Sequence, residues 1–146
     1  MQSFLKENKV LFAENSVAAG QATTVGEIVD TAGFENATFI YKLGAVTDGA
    51  AATLKIYMDA DYAFGSASEI SGASAAIATA SSDSDQFLMV EVIKPRERYL
   101  RPTIVTATQD VEIDSAICIL SNPDVIPVTQ PATVDASTVV VSPAAV

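Results

Sequence analysis

The stretch Ile28–Val46, IVDTAGFENATFIYKLGAV, carries the signal from which the fold is read. Ile28-Val29 is a short apolar run. Asp30 to Asn36 (DTAGFEN) is a turn with an aromatic plug, Phe34. Ala37 to Leu43 alternates: Ala37, Phe39, Tyr41 and Leu43 fall on one face, and Thr38, Ile40 and Lys42 on the other. Side chains of a strand point alternately to its two faces, so this is a strand with one face buried. Its β-branched and aromatic residues suit a pleated surface. Gly44 ends it.

Downstream, Thr47-Asp48-Gly49 is a turn signal. Thr53–Asp59 then alternates again, so the two strands read as a hairpin. Residues 60–85 (ADYAFGSASEISGASAAIATASSDSD) are dominated by Ala, Ser, Gly and Asp and read as a long surface loop, with a short strand at Glu69-Ile70. Loops of that length in a compact domain are usually functional or mobile. Gln86–Ile93 is apolar at nearly every position, which predicts a central strand covered on both faces. Tyr99–Thr106 is a further strand, in which Pro102 removes a ladder donor and points to an edge position or a bulge. Val111–Leu120 is the last core strand, with Ile113, Ile117 and Ile119 on one face and Ser115 interrupting it.

Upstream, Val25–Asp30 leads into the central turn, Glu14–Thr24 is small and polar, Val10–Ala13 is a short strand, and residues 1–9 form an arm. From Ser121 onward, Pro123, Pro127, Pro131 and Pro143 forbid a helix and leave an extended tail. The expected fold is all-β, an antiparallel β-sandwich or jelly-roll-like barrel with extended terminal arms. Residues 1–24 are the N-terminal arm and first short strand, 25–122 the core, and 123–146 the C-terminal arm.

The 146 residues suffice for one domain with one core. A formal net charge of −10 argues against nonspecific nucleic-acid binding and against an anionic membrane surface. One cysteine, Cys118, allows no intrachain disulfide, and the N-terminus lacks a secretory apolar run, so synthesis in the cytoplasm is expected. Without histidine there is no Ser-His-Asp, Cys-His or His-containing zinc site. Cys118 lies in an apolar strand with no base beside it and reads as a core thiol. Asp59-Ala-Asp61 and Asp83-Ser-Asp85 could each supply part of a calcium site, but neither is followed by the Gly and distal Glu of an EF-hand. Solvated loop acids are the plainer reading. No enzyme, cofactor or metal function is expected.

Lys94, Arg96, Arg98 and Arg101 are half of the eight basic residues, within eight positions. Two readings stand: a solvated turn satisfied by Glu91 and Glu97, or a docking patch for an acidic protein surface. In the tail, Thr138, Val139, Val140 and Val141 have the composition to add a strand to a neighbour's sheet edge.

Four motifs occur in a telling order: Asp30-Thr31-Ala32-Gly33-Phe34, the strand Phe39–Leu43 ending at Gly44-Ala45, the alternating Leu54-Lys55-Ile56, and Arg98-Tyr99-Leu100-Arg101. Over about residues 25–125 this resembles a family of small β-rich proteins encoded near the major capsid protein gene of tailed bacteriophages and gene-transfer-agent-like elements. Pro102, the aromatic-poor 60–85 stretch and the long tail depart from that pattern. The resemblance implies a virion structural protein: a head decoration or cement protein on the capsid exterior, where capsomers meet. It implies a homotrimer whose partner is the major capsid protein, made in the host cytoplasm. The alternative is another virion component, of tail or fibre, or a carbohydrate-binding β-sandwich. For the latter, Tyr62 and Phe64 are the loop aromatics available for stacking.

Overall fold

The computed structural model describes residues 2–77 and 84–141. A short helix, α1 (Phe4–Glu7), precedes ten strands in two antiparallel sheets. The first sheet runs in the order β1 (Lys9–Glu14), β10 (Val111–Pro123), β5 (Phe34–Val46), β8 (Phe87–Ile93), and β2 (Val17–Gly20) also pairs with β10. The second runs β3 (Thr23–Val25), β9 (Tyr99–Ala107), β6 (Ala51–Asp59), β7 (Ser68–Ala76), and β4 (Val29–Asp30) also pairs with β9. The chain crosses repeatedly from one sheet to the other, and its strand order is that of a jelly roll. The all-β sandwich expected from alternation is what forms.

The core lies between the sheets. Phe39, Tyr41 and Leu43 of β5 and Cys118 and Leu120 of β10 face Leu54 and Ile56 of β6 and Leu100 and Ile104 of β9, all fully buried. The alternation read in Ala37–Leu43 therefore assigns the inward face correctly. Three other expectations of strand placement fail, each for a topological reason. β5 and β6 do not form a hairpin: they lie in opposite sheets, and Thr47 at the corner donates to the Asp110 carbonyl instead. Both strands alternate because both face the same core from opposite sides. β8 is not central but marginal, and only Leu88, Val90 and Val92 are buried. Its outward residues are apolar too, which disguises the alternation. Residues 68–76 are not loop but β7, a margin strand whose Ser, Gly and Ala side chains carry little pattern.

Pro102 sits in the middle of the second sheet, opposite Ile56. Its other neighbour is interrupted there: β3 pairs with Thr103–Val105 and β4 with Tyr99-Leu100. The Pro102 carbonyl accepts from Gly26 in that gap (2.9 Å), so the missing Pro102 N–H also faces the gap, since both groups of a strand residue point the same way. A proline is tolerated where the ladder is already broken.

Gly44 does not end β5. The strand continues through a bulge at Gly44-Ala45, and β10 bulges beside it at Asp114-Ser115. Past the bulge the inward residues of β10 are Ala116, Cys118 and Leu120, so Ile117 and Ile119 turn away from the side of Ile113. The single face of Ile113, Ile117 and Ile119 read from period two is thereby split.

The N-terminal stretch read as an arm with one strand supplies β1, β2 and two residues of β3. The tail turns back along its own domain before it is free. Val128 N–H donates to the Lys6 carbonyl (2.8 Å). The Gln130 side chain accepts from Val10 N–H (3.0 Å) and donates to the carbonyls of Leu5 (3.0 Å) and Asn8 (2.6 Å).

Candidate functional site

The cationic segment follows β8. Lys94 takes a left-handed backbone (φ 50°) and its N–H donates to the Glu35 carbonyl (2.7 Å), which swings the 94–98 loop against the 31–35 turn. Thr31 fastens the other side, its hydroxyl and N–H both donating to the Arg98 carbonyl (2.7 and 3.0 Å). Between turn and loop lies an open cleft of about 420 Å³ lined by Lys94, Arg96, Arg98 and Glu35 among others. Arg98 is committed: Nε and Nη2 donate to the two carboxylate oxygens of Asp30, each at 2.8 Å. That hydrogen-bonded fork holds the Asp30 carboxyl below its usual range and the guanidinium above its own. Lys94 and Arg96 are exposed and make no ion pair among the described residues.

Arg101 is not part of this cleft. It lies on the outer face of the second sheet, its guanidinium 4.3 Å from the centre of the Phe64 ring. The cluster read from four cations in eight positions is thus three in a cleft and one stacked on an aromatic. Beside it Arg98 lies over Tyr99 (5.1 Å), and Tyr62 meets Tyr99 edge to face (5.6 Å, 76°). Phe64 is buried and Tyr62 is 62% exposed.

Asp59 explains this loop. Its carboxylate oxygens accept from the N–H groups of Asp61 (2.9 Å) and Ser66 (2.8 Å), and Asp61 accepts from Ala63 (3.0 Å). The Asp-x-Asp pair shapes the turn that seats Phe64, and both Asp59 oxygens are occupied. Asp83 lies outside the described residues. Asp85 and Asp114 both pair with Lys42 (2.9 Å each), and those hydrogen bonds, to Asp114 above all, raise the lysine's pKa. Cys118 is fully buried and desolvation pushes its thiol up to about 12, the setting of an inert core thiol. Thr138, Val139, Val140 and Val141 are exposed and outside any strand.

One surface is absent from the sequence reading. Across the outer face of the first sheet, Phe12, Ile117, Ile40 and Met89 are register partners on β1, β10, β5 and β8. They form one apolar row over all four strands, with Phe87 and Ile93 exposed to either side of Met89. At the β1 end Thr133 and Val134 of the tail line a cavity of about 140 Å³ together with Val10, Phe12 and Ile117. At the β8 end Phe87, Met89 and Ile93 are 59%, 55% and 65% exposed. An outward sheet face is normally polar. The signal lay in strand pairing, which no single segment reveals.

No family model and no curated protein matches the chain. Among solved structures, a chain of the infectious bursal disease virus Gt strain structure overlaps 84% of this chain with a TM-score of 0.48 and 9% identity. The present chain spans 35% of that one, about a third of its length. A carbohydrate binding module of Cellvibrio mixtus lichenase 5A, solved with cellotriose, overlaps 77% of this chain and 96% of its own with a TM-score of 0.36 and 11% identity. Overlap at this level says nothing of function.

Proposed function

We propose that the protein is a structural component of a virion, a decoration protein that self-associates and binds the major capsid protein on the capsid exterior. The observation that carries this reading is the apolar row Phe12–Ile117–Ile40–Met89 on a face that a solitary sandwich leaves polar. Exposed apolar area of this kind marks a protein contact. The motif order that resembles capsid-associated proteins supplies the partner, and the trimer is the assembly it implies. Lys94 and Arg96, in no ion pair among the described residues, add a cationic contact for an acidic capsid surface. The reading needs no catalytic group, metal or nucleic acid.

The test is binding to capsids stripped of the protein. Ile40→Asp with Met89→Asp should abolish decoration while the β-type circular dichroism spectrum is kept. Full occupancy by that variant would sink the reading. A sugar-binding module is the second reading, favoured by exposed Tyr62 on Tyr99 next to the Asp30–Arg98 fork, since an aromatic ring beside paired hydrogen-bonding groups suits a sugar. Glycan-array binding lost in Tyr62→Ala would establish it.

A further inference from the structure

A β-sandwich has four open margins, and each must be blunted or paired. Here three are blunted. At the β1 margin Gln130 of the tail accepts from Val10 N–H. The β3/β4 margin is broken into strands of three and two residues. The β7 margin bulges around Gly72 (φ 81°), where the ladder to β6 loses register. Among the described residues the β8 margin has none of these devices. It is seven residues in unbroken register with β5, and its sequence FLMVEVI carries one charge and no proline.

The hydrogen-bond phase shows what β8 offers. Leu43 N–H donates to the Gln86 carbonyl and Lys94 N–H to the Glu35 carbonyl, so the even-numbered residues face β5. Phe87, Met89, Glu91 and Ile93 therefore turn their N–H and C=O groups to the open side. Among the described residues no backbone group pairs with them.

We infer that this margin accepts the segment Thr138–Val141 of a second copy of the chain as an added antiparallel or parallel strand. The segment is uncharged, β-branched throughout and exposed. Its own β8 lies at the limit of its reach. Val134 borders one small cavity with Val10 and Phe12 of β1 and Ile117 of β10. To the far side of β8 is three strand spacings from β10, about 14 Å, and four from β1, about 19 Å, at about 4.8 Å each. From Val134 to Thr138 the chain spans at most about 14 Å. A tail that is fully stretched before it reaches its own far margin serves the open margin of a second molecule without that constraint. Such a contact is heterologous and closes into a ring or runs on as a chain. This deepens the self-association part of the proposed function and rests on that part alone.

The test is sedimentation of the full-length protein without capsids. Two variants are compared with the parent: Met89→Lys with Ile93→Lys, which places gatekeeper charges on the margin, and Val139→Pro with Val140→Pro, which removes donors of either phase. Both should raise the self-association Kd at least tenfold with the β spectrum unchanged. Should the margin variant misfold, the tail variant alone decides, because its residues are outside the core. A parent that stays monomeric, or a tail variant that associates as the parent does, overturns the inference. A parent that self-associates but leaves stripped capsids unbound would instead count against the decoration reading and leave the inference standing.

Discussion

Replacing Gly26 by alanine should destabilise the fold by overfilling the join between the sheets. Gly26 N–H donates to the Pro102 carbonyl of the second sheet, and the next N–H, of Glu27, donates to the Ala13 carbonyl of the first (2.8 Å). A Cβ on Gly26 would stand 2.6 Å from the Ala13 oxygen, 2.8 Å from Pro102 Cγ and 3.0 Å from the Tyr41 hydroxyl. Comfortable carbon contacts lie at about 3.5–4.0 Å, so about 0.5–1 Å of room must be found. The nearest obstacle is strand backbone and the second a proline ring, neither of which rotates away. Overpacking of this kind costs about 1–3 kcal/mol. Displacing Ala13 also loosens the Glu27 hydrogen bond, worth about 0.5–1.5 kcal/mol. The stiffer unfolded chain returns about 0.4–1 kcal/mol. The net loss is about 0.5–4 kcal/mol, or about 2–12 °C in Tm for a chain of this size. Thermal unfolding followed by circular dichroism reads it. Gly65→Ala, where a Cβ meets nothing within 4 Å, is the control and should stay within about 0.5 kcal/mol of the parent. Equal melting of the two variants would refute the steric argument.

Tyr41→Phe should be neutral or stabilising by up to about 1–2 kcal/mol in denaturant titration, because the buried hydroxyl has no hydrogen-bond partner among the described residues, and burial, followed by the Glu14 charge, raises its pKa. Cys118 should resist thiol reagents in the native state: with a pKa near 12 only about one thiol in ten thousand is ionised at pH 8, so labelling should track unfolding. For Asp30, the folded pKa lies below the unfolded one, so its contribution is present above the unfolded value and is lost as pH falls through the folded value. Parent and Asp30→Asn should therefore differ slightly at neutral pH and converge in acid, as melts across pH will show. Lys94→Glu with Arg96→Glu should weaken capsid binding and flatten its salt dependence, with the fold unchanged.

The period of two in β5 is legible because Ala37, Phe39, Tyr41 and Leu43 fill one face, while on the other Thr38 and Lys42 flank a single apolar residue, Ile40. β8 was misplaced because Phe87, Met89 and Ile93 make both faces apolar, and composition cannot tell a doubly buried strand from a marginal one with a sticky outside. Only Glu69-Ile70 of β7 is legible as strand, since the small side chains over the rest of Ser68–Ala76 leave no amplitude for a pattern. Hairpin and cross-sheet corner look alike locally: Thr47–Ala50 would serve either, and only the partner of each strand, far away in sequence, distinguishes them. The cationic segment was visible as a cluster, yet strand alternation sends Arg101 to the sheet face while the turn keeps Lys94, Arg96 and Arg98 together. The apolar row needed four segments and their register at once.

The two neighbouring bulges have a consequence for how this chain can change length. From Lys42 to Val46 is four steps on β5, and from Ser115 to Val111 is four on β10, so the strands leave the irregular zone aligned as they entered it. Each strand's extra residue cancels the other's. Deleting Ala45 alone would slide Val46 and the corner beyond it by one position and turn Val46 toward water, whereas deleting Ala45 and Ser115 together would leave both flanking ladders in step. What natural drift or design must preserve here is the difference between two lengths some 70 residues apart in the chain, so insertions and deletions at this point should come in pairs.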